Sequence, residues 1–168
     1  MASVTVLAVF AGWFAGALAA ELHLAVVSHG TKRVASLRTR TPDDYISPVV
    51  WWLPVLSAGV GVPIVLAAGG SAAWIVTALL VLAVVAVVRR RVLLRAQPAA
   101  DADVVRADDA VRARSMHVLS GGGFALVSFF LLASLDGVPR AEGPAAVAWL
   151  AVVLIGVLTA SARGRVPA

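Results

Sequence analysis

Cysteine is absent from the 168-residue chain. That absence excludes disulfides, thiolate metal sites, haem attached through sulfur and a cysteine nucleophile together. Histidine is scarce, with 3 in all, so a two-haem centre with four histidine ligands is excluded too. Charge is sparse: Asp, Glu, Lys and Arg make up 14% of the chain against 61% hydrophobic residues, and the mean hydropathy is +0.94. Soluble domains carry about 25% charged residues, so this composition belongs to a membrane protein. Lysine is nearly missing: Lys32 stands alone among the 14 basic residues, the rest being Arg. That bias reflects codon composition rather than a nucleic-acid partner, and none is expected. GxSxG, HExxH, a complete phosphate loop and paired catalytic carboxylates are also missing. No catalytic residue, cofactor or metal site is expected.

What the chain does have is long apolar runs. Crossing roughly 30 Å of hydrocarbon at about 1.5 Å per residue takes about 18 to 20 residues. Suitable windows lie near 4–27, 48–69, 71–88, 116–135 and 144–162. The second and third are parted only by "AAGGSAA", where Gly69, Gly70 and Ser71 are the turn signal; a four-span count stays open if one of the two re-enters. The expected fold class is all-α: a single membrane domain over 1–168, an integral helical bundle of five transmembrane helices, one leading helix plus two hairpins.

Charge asymmetry tests the count independently, because cytoplasmic loops collect Lys and Arg. The first loop holds Lys32, Arg33, Arg38 and Arg40; the third holds Arg89, Arg90, Arg91, Arg95, Arg106, Arg112 and Arg114; the tail adds Arg163 and Arg165. Only Arg140 falls in the alternate segments. Five spans with the N-terminus outside and the C-terminus cytoplasmic satisfy the rule, with 29–47 and 89–115 as cytoplasmic segments in a bacterial plasma membrane. "AGALAAE" offers small residues of the kind that precede signal cleavage, but the basic cluster follows the apolar run instead of leading it, so the segment is expected to stay as the first span.

The stretch "DADVVRADDAVRARSMHVLSGGGFALVSFFLLASL" reads as a cytoplasmic helix entering the fourth span without a break. Asp101 and Asp103 can cap its start. Asp108 with Arg112, four apart, and Arg106 with Asp109, three apart, are expected to pair on a water-exposed surface. Glycines 121–123 allow a bend or close packing. Pro63 can kink the second span. Ser57, Ser128 and Thr77 are expected to bond to their own preceding turns. Tyr45, Trp51, Trp52, Trp74 and Trp149 mark interfaces, and Phe10, Trp13 and Phe14 sit deeper as packing residues.

Polar residues inside spans are the candidates for function. Glu21 is a proton-coupling or ligand-binding carboxylate, or an anchor reaching the interface or bonded to Lys32 or Arg33. Gly12, Gly16, Ala19 and His23 share one helix face, a small-residue stripe that lets another helix approach closely. His117, at the depth of Glu21 and His23, completes a set with no metal-site spacing, so simple hydrogen bonding is expected of it. Arg106, Asp108 and Asp109 complete the candidates.

"RTRTPDDYISPVVWW" and "RADDAVRARSMHVLS" each place basic residues and an Asp-Asp pair before a span, and each hairpin returns through a Trp-led helix. Either the hairpins are parallel repeats, or Ala/Val-rich spans resemble each other by composition. At "AGWFAGALAAE", "RVASLRTRTPDDY" and "RADDAVRARSMHVLSGGG" the chain resembles small multi-pass membrane proteins of unknown function from actinobacteria, a resemblance that implies no activity, cofactor or substrate. The leading expectation is a non-enzymatic accessory or assembly subunit, embedded in the lipid bilayer and in contact with other membrane subunits or itself. A small transporter or channel using Glu21 is the alternative, and a membrane enzyme the third.

Overall fold

In a computed structural model of the chain, the described residues are 2–27, 33–34, 41–95, 97–98, 101–135, 138 and 142–162. Five helices account for most of them: α1 (Ala2–Val27), α2 (Pro48–Ala67), α3 (Ala72–Leu94), α4 (Ala102–Ala133) and α5 (Glu142–Ser161). A 3-10 turn, Pro42–Asp44, precedes α2, and β1 (Arg33–Val34) forms a two-residue antiparallel ladder with β2 (Gln97–Pro98). Lys32, Arg38, Arg40, Arg140, Arg163 and Arg165 lie outside the described residues, as do the side chains of Phe10 and Trp149.

Among the described residues α2, α3 and α4 are long and apolar enough to cross a membrane. At 20 and 23 residues α2 and α3 each reach about 30 Å or more, long enough for a crossing. α3 runs on past 88 through Arg89, Arg90 and Arg91 to Leu94. The charged segment and the fourth apolar window do form one uninterrupted helix, 32 residues long.

α4 is the centre of the bundle. Its apolar window is 67% buried, against 17% for α2 and 28% for α3, and every residue from Leu119 to Ser128 is buried. Lipid tails are as apolar as leucine, so burial of apolar surface does not drive helices together in a bilayer; close packing does. The glycine run supplies it. Successive residues point about 100° apart around a helix, so three glycines face three neighbours. A Cβ on Gly121 would stand 2.6 Å from the carbonyl oxygen of Gly156 and 2.8 Å from the amide nitrogen of Ala160, both α5 backbone. On Gly122 it would stand 3.3 Å from the Phe14 ring of α1, and on Gly123 2.9 Å from Val85 of α3. α2 completes the ring with Gly61, where a Cβ would come 2.7 Å from Leu131. The glycines therefore serve close packing.

The turns gather at two ends. Between α2 and α3, Gly69 adopts φ +78, with Gly70 N–H donating to Val65 O at 2.9 Å and Gly69 N–H to Leu66 O at 3.1 Å. This is the paired-bond helix stop that needs a left-handed residue, which glycine takes without strain. Ser71 N–H donates to Ser134 O at 3.0 Å, binding this turn to the end of α4. The opposite end carries the β1–β2 ladder and the charged segments.

Several expectations change. Nothing in the chain lies within 4 Å of a Cβ built on Gly12 or Gly16, so the small-residue stripe faces outward; α1 docks instead through Phe14, which is buried. Trp13 is exposed on that outer side, its ring packed only against that of Phe14 at 4.7 Å between centroids among the described residues. Ser57 and Ser128 bond across helices, Oγ to Oγ at 2.6 Å, because α2 and α4 approach closely enough for the hydroxyls to meet. Thr77 donates to Ala73 O at 2.9 Å, as expected.

The packing predicts a contrast between glycines. Gly121→Ala is expected to lower stability by about 1–3 kcal/mol through overpacking. Gly12→Ala is expected to be neutral or stabilising by up to about 1 kcal/mol, from helix propensity alone. Thermal unfolding of both variants in mild detergent checks this, and equal effects would contradict the central position of α4.

Candidate functional site

The charged residues at one end of the bundle form a cluster built from three chain segments. The first is the turn before α2. Asp44 Oδ2 accepts from the Thr41 amide at 2.9 Å and from its hydroxyl at 3.3 Å, closing the 3-10 turn and aiming Tyr45 inward. Tyr45 and Ile46 then pack with Val88, Val92, Ala113, Met116 and Leu119. Ser47 caps α2, its hydroxyl accepting from the Val50 amide at 3.4 Å. Tyr45 is fully buried, so its hydroxyl must find a partner. It donates to Asp109 Oδ1 at 3.0 Å.

The second and third segments are the end of α3 and the opening of α4. α3 stops at Leu94, with Arg95 extended at φ −61, ψ 125, and its last carbonyls need donors. Arg112 supplies them: its Nη1 donates to Val92 O at 3.1 Å and Arg95 O at 2.6 Å. The rest of the guanidinium grips Asp108, with Nε and Nη2 each 2.7 Å from Oδ2. The other Asp108 oxygen pairs with Arg95. A closed ring results, in which the Arg95 carbonyl and side chain are both held by residues of α4. Two guanidinium groups share the Asp108 carboxylate while Asp109 takes the Tyr45 hydroxyl, and each of these ions has hydrogen-bonding partners, the condition under which such a cluster is tolerated.

The expected solvated face is thus a buried knot. Arg112 is 1% exposed because α4 is already enclosed by α3 and the Tyr45 turn at this level. Arg106 does not pair with Asp109; it bonds to Asp103 on the exposed side, while Asp109 points inward to the tyrosine hydroxyl. Asp101 holds the N-cap position of α4 with extended backbone but makes no side-chain cap bond. Tyr45 is a core residue rather than an interface marker.

The remaining candidates are not brought together. His117 is buried, its Nδ1 2.9 Å from Ala113 O one turn back. His23 is exposed on α1, not at a helix contact, and Glu21 is half-buried there. Lys32 and the Arg33 side chain, the expected partners of Glu21, lie outside the described residues. Among the described residues no group of three His, Cys, Asp or Glu side chains is placed to hold a metal ion.

Comparison with family models, curated proteins and solved structures finds no match to the chain. The Asp-Asp-Tyr of the first loop and the Arg-Ala-Asp-Asp of α4 meet here through Tyr45 and Asp109. Sequence reasoning missed Tyr45 and Arg95 as members of the knot. The available signal was the single tyrosine of the chain, placed directly after an acidic pair.

Burial predicts unequal arginines. Arg112→Met strands Asp108 and the α3 carbonyls and is expected to cost about 3–5 kcal/mol, whereas Arg106→Met breaks an exposed pair and is expected to cost less than about 1 kcal/mol. Tyr45→Phe is expected to cost roughly 1.5–3 kcal/mol, for a bond to a charged acceptor. Denaturant unfolding in detergent ranks the three; Arg106→Met equal to Arg112→Met would contradict the knot.

Proposed function

We propose that the chain is a five-span protein of a bacterial plasma membrane, with its N-terminus outside and C-terminus in the cytoplasm, serving as a non-enzymatic accessory or assembly subunit. Two observations support the topology. Segments 33–34 and 41–47 of the first loop meet segment 95–112, which carries Arg95, Arg106 and Arg112, at one end of the bundle through the ladder and the knot. The turns at 68–71 and 134 meet at the other.

The observation that carries the functional reading is the contrast between inside and outside. The acids and arginines of the knot hold α3, α4 and the first loop together, while Gly12, Gly16 and Ala19 face out from α1 beside an apolar groove. The groove, of about 470 Å³, runs between α1 and α3 over a floor of Leu126 and Phe130. A face of such small residues allows another helix to approach closely, which suits a subunit that docks rather than one that reacts.

Two experiments test this. Cysteines placed singly at Ala107 and Ser71, both exposed, are expected to be shielded and labelled respectively by an impermeant reagent on intact cells; the reverse pattern refutes the topology. Purification in mild detergent is expected to yield a heteromeric complex that Gly16→Leu disrupts, with Glu21→Gln silent. A lone chain that moves a solute in liposomes and is abolished by Glu21→Gln would establish the transporter instead.

A further inference from the structure

Two arginines are buried among the described residues. Arg112 has Asp108. Arg89 has no carboxylate partner among the described residues, although it is only 4% exposed. Its Nη2 donates to Trp51 O at 2.6 Å, and its Cζ lies 3.4 Å from the centroid of the Trp51 ring. Nε is sealed in without an acceptor, and Nη1 makes no hydrogen bond among the described residues. A guanidinium keeps its proton under all ordinary conditions, so this is a permanent charge, desolvated, with a ring face and one carbonyl for company.

Its surroundings add positive potential. Trp51 belongs to the opening turns of α2, behind the Ser47 cap and Pro48, where the helix dipole is positive and anions are favoured. Arg90 and Arg91 follow on α3 and are exposed. The apolar run of α3 gives way to arginine here, which on the five-span reading is the headgroup level of the cytoplasmic leaflet.

We propose that Arg89, braced on Trp51 at the opening of α2, is the seat of a phosphate group, that of an anionic phospholipid in the cytoplasmic leaflet. With Nε sealed and one Nη2 hydrogen given to Trp51 O, Nη1 and the second Nη2 hydrogen are the donors left for two phosphate oxygens. The tryptophan ring fixes the guanidinium plane, and Arg90 and Arg91 add long-range attraction. The proposal rests on the membrane-crossing reading, which alkaline extraction of native membranes tests separately: release of the protein into the soluble fraction would defeat that reading whatever the lipid result.

The test is thermal unfolding of the purified full chain in neutral detergent with added phosphatidylglycerol, phosphatidylcholine of the same acyl chains, or inorganic phosphate. Phosphatidylglycerol is expected to raise the midpoint of the wild type and of the Arg90→Gln/Arg91→Gln double variant by about 5 °C at saturation. Phosphatidylcholine is expected to leave both unchanged, and Arg89→Gln to lose the increment. An equal rise with inorganic phosphate alone would keep the phosphate site and overturn the lipid source. Arg89→Lys, which retains the charge, serves if the Gln variant fails to fold, and is expected to keep less than half of the increment because a single ammonium cannot engage as a fork. No rise in the wild type, or an undiminished rise in Arg89→Gln or Arg89→Lys, would overturn the proposal and leave Arg89 a brace between α3 and α2.

Discussion

The bundle depends on the approach of α4 to four helices at once, in a solvent that gives apolar surfaces no reason to associate. Contact at van der Waals distance is what remains. Glycines 121–123 meet that constraint by removing side chains where α5, α1 and α3 arrive. Gly61 and the Ser57–Ser128 bond do the same work for α2. Most interhelix contacts accordingly involve α4, and α1, α2 and α3 touch one another far less.

The knot follows from the same centrality. A helix enclosed within the bundle but continuing into a charged segment carries its first carboxylates and guanidiniums into a partly dry region, and those groups must be satisfied there. Arg112 meets the requirement by treating the end of α3 as an acceptor and Asp108 as a counter-ion in one planar group. The connection from α3 to α4 is thereby fixed at its base. Arg89 of α3 has no such counter-ion among the described residues and is held by the carbonyl and ring of Trp51 instead.

Much of this was legible in the residues. Run length gave the five helices, since an apolar window of span length has few alternatives, and Gly69-Gly70 announced its turn because one position needed φ +78. The unbroken passage from "DADVV" into the fourth span was legible from helix-compatible spacing without Pro. Which faces turn inward was not. A span that is apolar all round shows no periodicity to say which side meets protein and which meets lipid, so Gly12 and Gly16 looked as suited to packing as Gly121 and Gly123. Spacing also proposed Arg106 for Asp109, but an i,i+3 rule is blind to Tyr45, which arrives from 64 positions away. Long-range partners of buried charges are set by tertiary packing alone.

The place of α4 in chain order bears on how the protein is made. Synthesis delivers α1, α2 and α3 before the helix on which all three pack. Until then they are helices that touch one another little. The short turn at 68–71 and the Arg89–Trp51 contact keep α2 beside α3, while the first loop, still lacking Asp109, has no acceptor for its tyrosine hydroxyl. The helix that gathers the other four is thus the fourth to be made, and the bundle is organised around it rather than around the first.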